Sequence, residues 1–248
     1  MKTNTLKTPP VVSEDQWLAA RRELLRDEKE LTRLQDKLAA RRRQLPWVKI
    51  DKPYVFAGPE GRVTLADLFA GRGQLVVQHF MLGPGWEEGC KSCSFMTDHF
   101  NAAAVHLPAR DTAFAVVSRA PLAEILPFKK RMGWNVNWVS SHDNDFNFDY
   151  HVSFTPEEMA EGKVYYNYGP RAFPHEEAPG VSVFARDAAG SIHHTYSTYG
   201  RGVEFIMGTY RILDLTPKGR DEEGMEYGME WLRHHDRYDQ SSRAAVTR

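Results

Sequence analysis

Gln74-Leu75-Val76-Val77-Gln78-His79-Phe80, a glycine- and proline-bearing loop over 83–89, and then Gly89-Cys90-Lys91-Ser92-Cys93 decide how this chain is read. The apolar run predicts a buried strand over 74–81. The residues after Cys90 predict a helix over about 91–105, with Phe95, Met96 and Phe100 on its apolar side. Cys90 and Cys93 are the only two cysteines in the chain. A C-x-x-C pair between a strand and a helix is a redox arrangement. Its spacing places both sulfurs in the first helical turn, where unpaired N–H groups favour a thiolate. Cys90, nearest the helix start, is then the attacking thiol, and Cys93, one turn further in, resolves the mixed disulfide. Lys91 favours the thiolate, whereas Glu87 and Glu88 oppose it by like-charge repulsion. A modest fall in the Cys90 pKa is therefore expected.

Outward from this centre the pattern alternates. Tyr54-Val55-Phe56 and Val63-Thr64 flank a Gly58-Pro59-Glu60-Gly61 turn, and Leu65–Phe69 reads as a short helix. Thr112–Ser118 is a second buried strand, Pro121–Met132 a helix with proline near its first turn, and Asn135–Val139 a third strand. Strand and helix in alternation imply βαβ units and a largely parallel sheet in an α/β domain. Residues 140–180 read as irregular apart from a short helix at 156–161, a long excursion that serves as a lid or packs on the domain. Val181–Arg186 and Ile192–Ser197 predict a hairpin around Asp187-Ala188-Ala189-Gly190. A helical region is expected from Val203, broken near Pro217 and resumed over about 221–235, with the tail from Gln240 frayed.

Residues 13–45 read as one long helix. Ser13 with Gln16 forms a capping box, and Trp17, Leu18, Leu24, Leu25, Leu31, Leu34 and Leu38 form an apolar stripe. Residues 1–45 carry 11 Lys and Arg against 7 Asp and Glu. That excess is read as the solvated face of a packing or dimerising helix, not as a nucleic-acid arm. The division expected is an N-terminal helical extension, 1–50, and a main domain, 51–248. The stripe allows a homo-oligomer through the N-terminal helix.

The whole chain has 248 residues and a net charge of −1, so no overall field favours nucleic acid or an anionic membrane. No apolar stretch is long enough to span a bilayer, and Met1–Pro10 lacks the apolar segment of a signal peptide. A cytoplasmic location is the expectation. Thiols are kept reduced there, which favours a reactive pair over a structural disulfide.

Rival chemistries find less in the residues. A closed zinc site needs four ligands, and no second C-x-x-C or recognisable histidine spacing supplies them, so no metal or other cofactor is expected. The glycines at 83, 85 and 89 resemble a dinucleotide loop, but Pro84 and Trp86 occupy the bend. Asp143-x-Asp145-x-Asn147-x-Asp149 resembles a calcium loop, but Phe148 and Phe154 stand where glycine and glutamate belong. His234-His235-Asp236, placed on the terminal helix beside Trp231 and Tyr238, is either a proton relay or a packed, hydrogen-bonded pair. Arg201, in a Tyr199-Gly200-Arg201-Gly202 run, either holds an anionic substrate or is an ordinary surface arginine.

Beyond the residues themselves, His79 through Trp86, Gly89-Cys90, and Cys93-Ser94-Phe95 resemble an uncharacterised bacterial thioredoxin-like family. It is known as a domain of unknown function whose members are sometimes labelled dithiol-disulfide oxidoreductases. Arg131-Met132-Gly133-Trp134, Gly180–Phe184, His194–Gly202 and Trp231–Tyr238 extend the match over most of the chain. The resemblance implies a thioredoxin-like central sheet flanked by helices, with Cys90 and Cys93 at its redox position and a disulfide or thiol substrate. It also implies a cis-proline facing the pair. Pro179 is the candidate, with Trp86 and Arg201 completing a substrate groove, and a cis bond there would leave backbone groups free to pair with a substrate chain. Three departures from ordinary thioredoxin stand out. Lys-Ser separates the cysteines, Trp86 lies four residues before Cys90, and the chain is more than twice the minimal size. A peroxiredoxin-like thiol peroxidase is the rival activity. It wants a threonine three residues before the reactive cysteine, where this chain has Glu87. A non-catalytic thioredoxin-like binding or scaffold domain is the third reading.

Overall fold

The computed structural model describes residues 8–239; the expected frayed tail lies outside them. Helix α1 (Glu14–Arg42) begins at Ser13. The Ser13 hydroxyl accepts the Gln16 N–H and the Gln16 side chain accepts the Ser13 N–H, so two orphan donors are satisfied at once. No residue of α1 is buried. Trp17, Leu24, Leu31 and Leu38 stand exposed along it at seven-residue intervals.

A short β1 (Val48–Lys49) leads into the β2 (Val55–Gly58) and β3 (Gly61–Thr64) hairpin and a one-turn α2 (Leu65–Leu68). Then come β4 (Gln74–His79), α3 (Lys91–Ala103), β5 (Thr112–Ser118), α4 (Leu122–Arg131) and β6 (Asn137–Ser140). The excursion holds α5 (Phe146–Asp149), α6 (Pro156–Ala160) and a small hairpin, β7 (Val164–Tyr166) with β8 (Gly169–Arg171). It returns through β9 (Gly180–Arg186) and β10 (Ile192–Tyr199). A 3-10 turn at Gly200–Ile206 and α7 (Gly208–Leu213) follow.

The main sheet has eight strands among the described residues, in the order β1-β10-β9-β4-β5-β6-β2-β3. Only β4, β5 and β6 run parallel; β9 pairs antiparallel with β4, and β10 with β9. The sheet is thus mixed, not largely parallel. On one side the antiparallel pairing comes from the 180–199 hairpin, which docks against β4 with Gly180 opposite His79, and on the other from the β2–β3 hairpin against β6. Two parallel strands joined through a helix, continued by an antiparallel hairpin with the C-x-x-C at the start of that helix, make a thioredoxin-like α/β fold.

Strand residues alternate between two cores, as a period of two demands. Phe114, Val116 and Trp138 face α3 and α4, together with Phe80, Cys93, Met96 and Phe128. Leu75, Val77, Ala115 and Val117 face the other side. There the cover comes from α2 and from the excursion, through Phe146, Tyr150, Val152 and Tyr166. The segment read as irregular therefore supplies seven of the twenty buried residues of that core, and it is packed on the domain.

Two further expectations fail. Residues 221–235 form turns, with a single 3-10 turn at His235–Arg237, so His234-His235-Asp236 is not on a helix. Gly224 (φ +83°) and Asp221 (φ +50°) break the run. Glu222 accepts from Trp231 Nε1 at 2.7 Å and from Tyr210 Oη at 2.9 Å, tying the segment to the body through side chains. No cis peptide bond occurs among the described residues, so Pro179 is trans. No helix among them is long and apolar enough to cross a membrane.

Candidate active site

The loop between β4 and α3 turns back under the helix it precedes. Cys90 caps α3 in an extended conformation, and its N–H donates to Met81 O at 3.0 Å. Met81 N–H donates in turn to Cys93 Sγ at 3.5 Å. One residue of the incoming loop thus pins both ends of the C-x-x-C. Gln78, fully buried on β4, donates from Nε2 to Cys93 O at 3.1 Å and accepts from Thr97 Oγ1 at 3.0 Å. Gly89 has no room for a side chain, since a Cβ there would lie 2.5 Å from the Phe80 ring and 2.8 Å from Phe128.

Both thiols are free; Cys90 is half-buried and Cys93 buried. Their titrations diverge. The Cys93 S–H points a hydrogen bond at Cys90 and holds that thiol down to about 6, with the backbone N–H groups of Cys93 and Ser92 adding to the effect against burial. Burial, and then the hydrogen bond and charge of Cys90, push Cys93 well above the usual thiol range. The fall at Cys90 is deeper than a balance of Lys91 against Glu87 and Glu88 suggests. The partner sulfur and the helix-start donors dominate, and Glu88 is paired with arginines.

Glu87 is exposed, and Glu88 is committed to Arg131, Nη1 to Oε1 at 2.6 Å, and to Arg237. Arg131 also donates from Nε to Asp236 at 3.0 Å and from Nη2 to His234 Nδ1 at 2.8 Å. His234 accepts at Nδ1, so its proton is on Nε2, which donates to Gly89 O at 2.9 Å. Of the two sequence readings of this stretch, the geometry is that of a packed, hydrogen-bonded histidine. It sits on the peptide group joining Gly89 to Cys90.

A cavity of about 770 Å³ opens over the sulfurs. Cys90, Cys93, Trp86, Pro179 and Arg201 all line it. Trp86 is half-buried, with Nε1 donating to Glu176 at 2.7 Å. Pro179 presents no free backbone: its carbonyl accepts from Tyr166 Oη at 2.7 Å. Arg201 is at the mouth, 87% exposed, with its guanidinium on Glu204 at 2.8 Å, so it is not a free anion receptor.

The sequence reading missed Met81, Gln78, Tyr166 and the role of Arg131 in joining Glu88 to His234 and Asp236. Arg131 ends α4 and His234 lies 103 residues further on in an irregular segment, and no local spacing announces their contact. Among the described residues no group of three His, Cys, Asp or Glu side chains is placed to hold a metal ion.

None of the curated proteins matches this chain in sequence. Among solved structures, peroxidoxin BcpB from Mycobacterium tuberculosis is similar at 10% identity and TM-score 0.45, over 68% of this chain and 97% of that one. Peroxiredoxin Q of Xanthomonas campestris is similar at 14% identity and TM-score 0.44, over 68% and 94%. A Chlorobium tepidum chain provisionally assigned as the thiol:disulfide interchange protein DsbE is similar at 12% identity and TM-score 0.39, over 68% and 97%. Residues 6–238 match the family model described as a bacterial protein of unknown function (DUF899), and the chain belongs to that family.

Proposed function

We propose that the protein is a thiol-disulfide oxidoreductase working through the Cys90–Cys93 dithiol. The observation that carries this reading is the placement of the two sulfurs: Cys90, half-buried, caps α3 and lines the cavity, while buried Cys93 accepts Met81 N–H at 3.5 Å, an arrangement that lowers the pKa of the first thiol and raises that of the second. A nucleophile near neutral pH and a protonated partner are the two states that disulfide exchange requires.

Cys90 thiolate attacks one sulfur of a substrate disulfide. The substrate S–S bond breaks, a mixed disulfide forms, and the first substrate thiolate leaves. Loss of the Cys90 charge removes two of the three effects that hold the Cys93 proton, its hydrogen bond and its Coulombic repulsion. Met81 N–H remains to support the new thiolate. Cys93 gives its proton to a departing thiolate and attacks Cys90 Sγ. The second substrate thiolate leaves, the substrate has gained two electrons, and the protein holds a Cys90–Cys93 disulfide. A cytoplasmic setting, where thiols are kept reduced, suits the return to the dithiol.

The peroxidase reading has less support. Glu87 is exposed at the position where threonine is wanted, and Arg131 spends its guanidinium on Glu88, Asp236 and His234. The test is turnover on a model disulfide together with thiol titration. Wild type is expected to reduce the disulfide with loss of two thiols per chain, and Cys90→Ser to do neither. A Cys90→Ser protein equal to wild type in both ends the proposal.

A further inference from the structure

The main chain beside Pro179 is paired within the fold. Recognition of an extended polypeptide beside a sheet relies on free backbone donors and acceptors. Here they are spent. Tyr166 Oη donates to Pro179 O at 2.7 Å and accepts Gly200 N–H at 2.8 Å, closing two backbone groups of the wall with one hydroxyl. Ala178 N–H goes to Val152 O, and Glu176 O takes Phe154 N–H. Gly180 is already paired with His79 on one side and Tyr199 on the other.

What remains is a container. Its volume, about 770 Å³, lies in the ~300–1,000 Å³ range of small-molecule sites. Met96, Met207, Met229, Val203 and Phe173 form its walls, thioether and aromatic surfaces that adapt to an apolar guest. The arginines of the lining are occupied: Arg201 on Glu204, Arg237 on Glu88, and Arg233 on the carbonyls of residues 230–232. Lys91, adjacent to Cys90, also lines the cavity and has no ion-pair partner among the described residues, which suits a departing thiolate.

We infer that the site takes a small disulfide with an apolar body, of aryl or alkyl type, and excludes polypeptide disulfides. This rests on the thiol-disulfide reading above. The exchange is the one written there: two substrate thiols are released and the Cys90–Cys93 disulfide forms, with the reduced protein as the electron source.

The experiment uses the reduced full chain and three probes: neutral 4,4′-dithiodipyridine, dianionic 5,5′-dithiobis(2-nitrobenzoate), and insulin. Each rate is divided by that of dithiothreitol at the same pH, which removes the probe's own reactivity. Both aryl disulfides are expected to exceed insulin by about tenfold or more. Met229→Lys should lower that advantage about tenfold. Tyr166→Phe, which reopens Pro179 O and Gly200 N–H, should raise the insulin rate relative to the aryl one. Equal normalised rates, or a preference for insulin in wild type, overturn the inference and leave the redox reading standing. Inertness of wild type toward all three, matched by Cys90→Ser, overturns both.

Discussion

His234 donates its Nε2–H to the carbonyl of Gly89 at 2.9 Å, one peptide group before the reactive-cysteine candidate. Its other ring nitrogen takes a hydrogen bond from Arg131 at 2.8 Å, and Arg131 also holds Glu88 and Asp236. The irregular C-terminal segment is thereby fastened to the loop that sets Cys90. His234→Ala leaves a buried carbonyl without a donor and is expected to cost about 1–3 kcal/mol. Urea unfolding measures that loss, and amide exchange at Cys90 should rise in the same variant. Unchanged stability and exchange would mean that the segment does not fasten the loop.

The Cys93 hydrogen bond is the largest cause of the low Cys90 titration. Alkylation of Cys90 should therefore follow pH with a midpoint near 6. Cys93→Ala removes the donor and should move the midpoint up toward the usual thiol range. The backbone N–H groups of the helix start keep part of the effect. Iodoacetamide kinetics from pH 4 to pH 10 read both. A midpoint that ignores the loss of Cys93 would contradict the coupling.

Gly89 is a packing constraint, not a flexible joint. A Cβ there would lie 2.5 Å from Phe80 and 2.8 Å from Phe128, both core side chains. Gly89→Ala should cost roughly 1–3 kcal/mol by overpacking and disturb the Cys90 N–H to Met81 O bond. The Cys90 alkylation midpoint should shift with it. A fully stable Gly89→Ala protein with unaltered alkylation would remove this constraint.

His79 is fully buried on β4 and hydrogen-bonded to Ser182 Oγ at 2.8 Å, with burial pulling its pKa down to about 3 and His194 adding repulsion. Between about 3 and about 6.5 the unfolded chain binds a proton at this residue that the folded chain does not. Its contribution to stability is thus complete above about 6.5 and is lost as pH falls toward 3. Denaturant midpoints across that window should fall with acid, and His79→Gln should flatten the slope. An equal slope in the variant would assign the acid sensitivity elsewhere.

Where structure is local, the residues announce it. Ser13 and Gln16 mark the start of α1, Thr112–Ser118 marks β5, and Cys90 marks the start of α3. Within the 140–180 excursion the short helix read at 156–161 is present as α6, but the rest is not legible, because its order comes from distant partners. Tyr150 and Phe146 pack under the sheet, and Tyr199 Oη reaches Tyr150 O at 3.1 Å. Its hairpin turns on Asn167 and Tyr168, both at positive φ, and a tyrosine there is no turn signal. The five candidate site residues do share one cavity, but the backbone state of Pro179 was misjudged. A trans bond with a spent carbonyl follows from Tyr166, a residue that no spacing connects to the dithiol.

The proposed activity requires that Cys90 and Cys93 form a reversible redox couple. A stabilised Cys90 thiolate favours the dithiol form and raises the potential of the pair. Equilibration of the protein in glutathione redox buffers, read by trapping free thiols, measures it directly. The prediction is a two-electron transition between about −270 and −120 mV, the span from thioredoxin to strongly oxidising pairs. Cysteines that stay as two thiols across the whole range of buffers would contradict it.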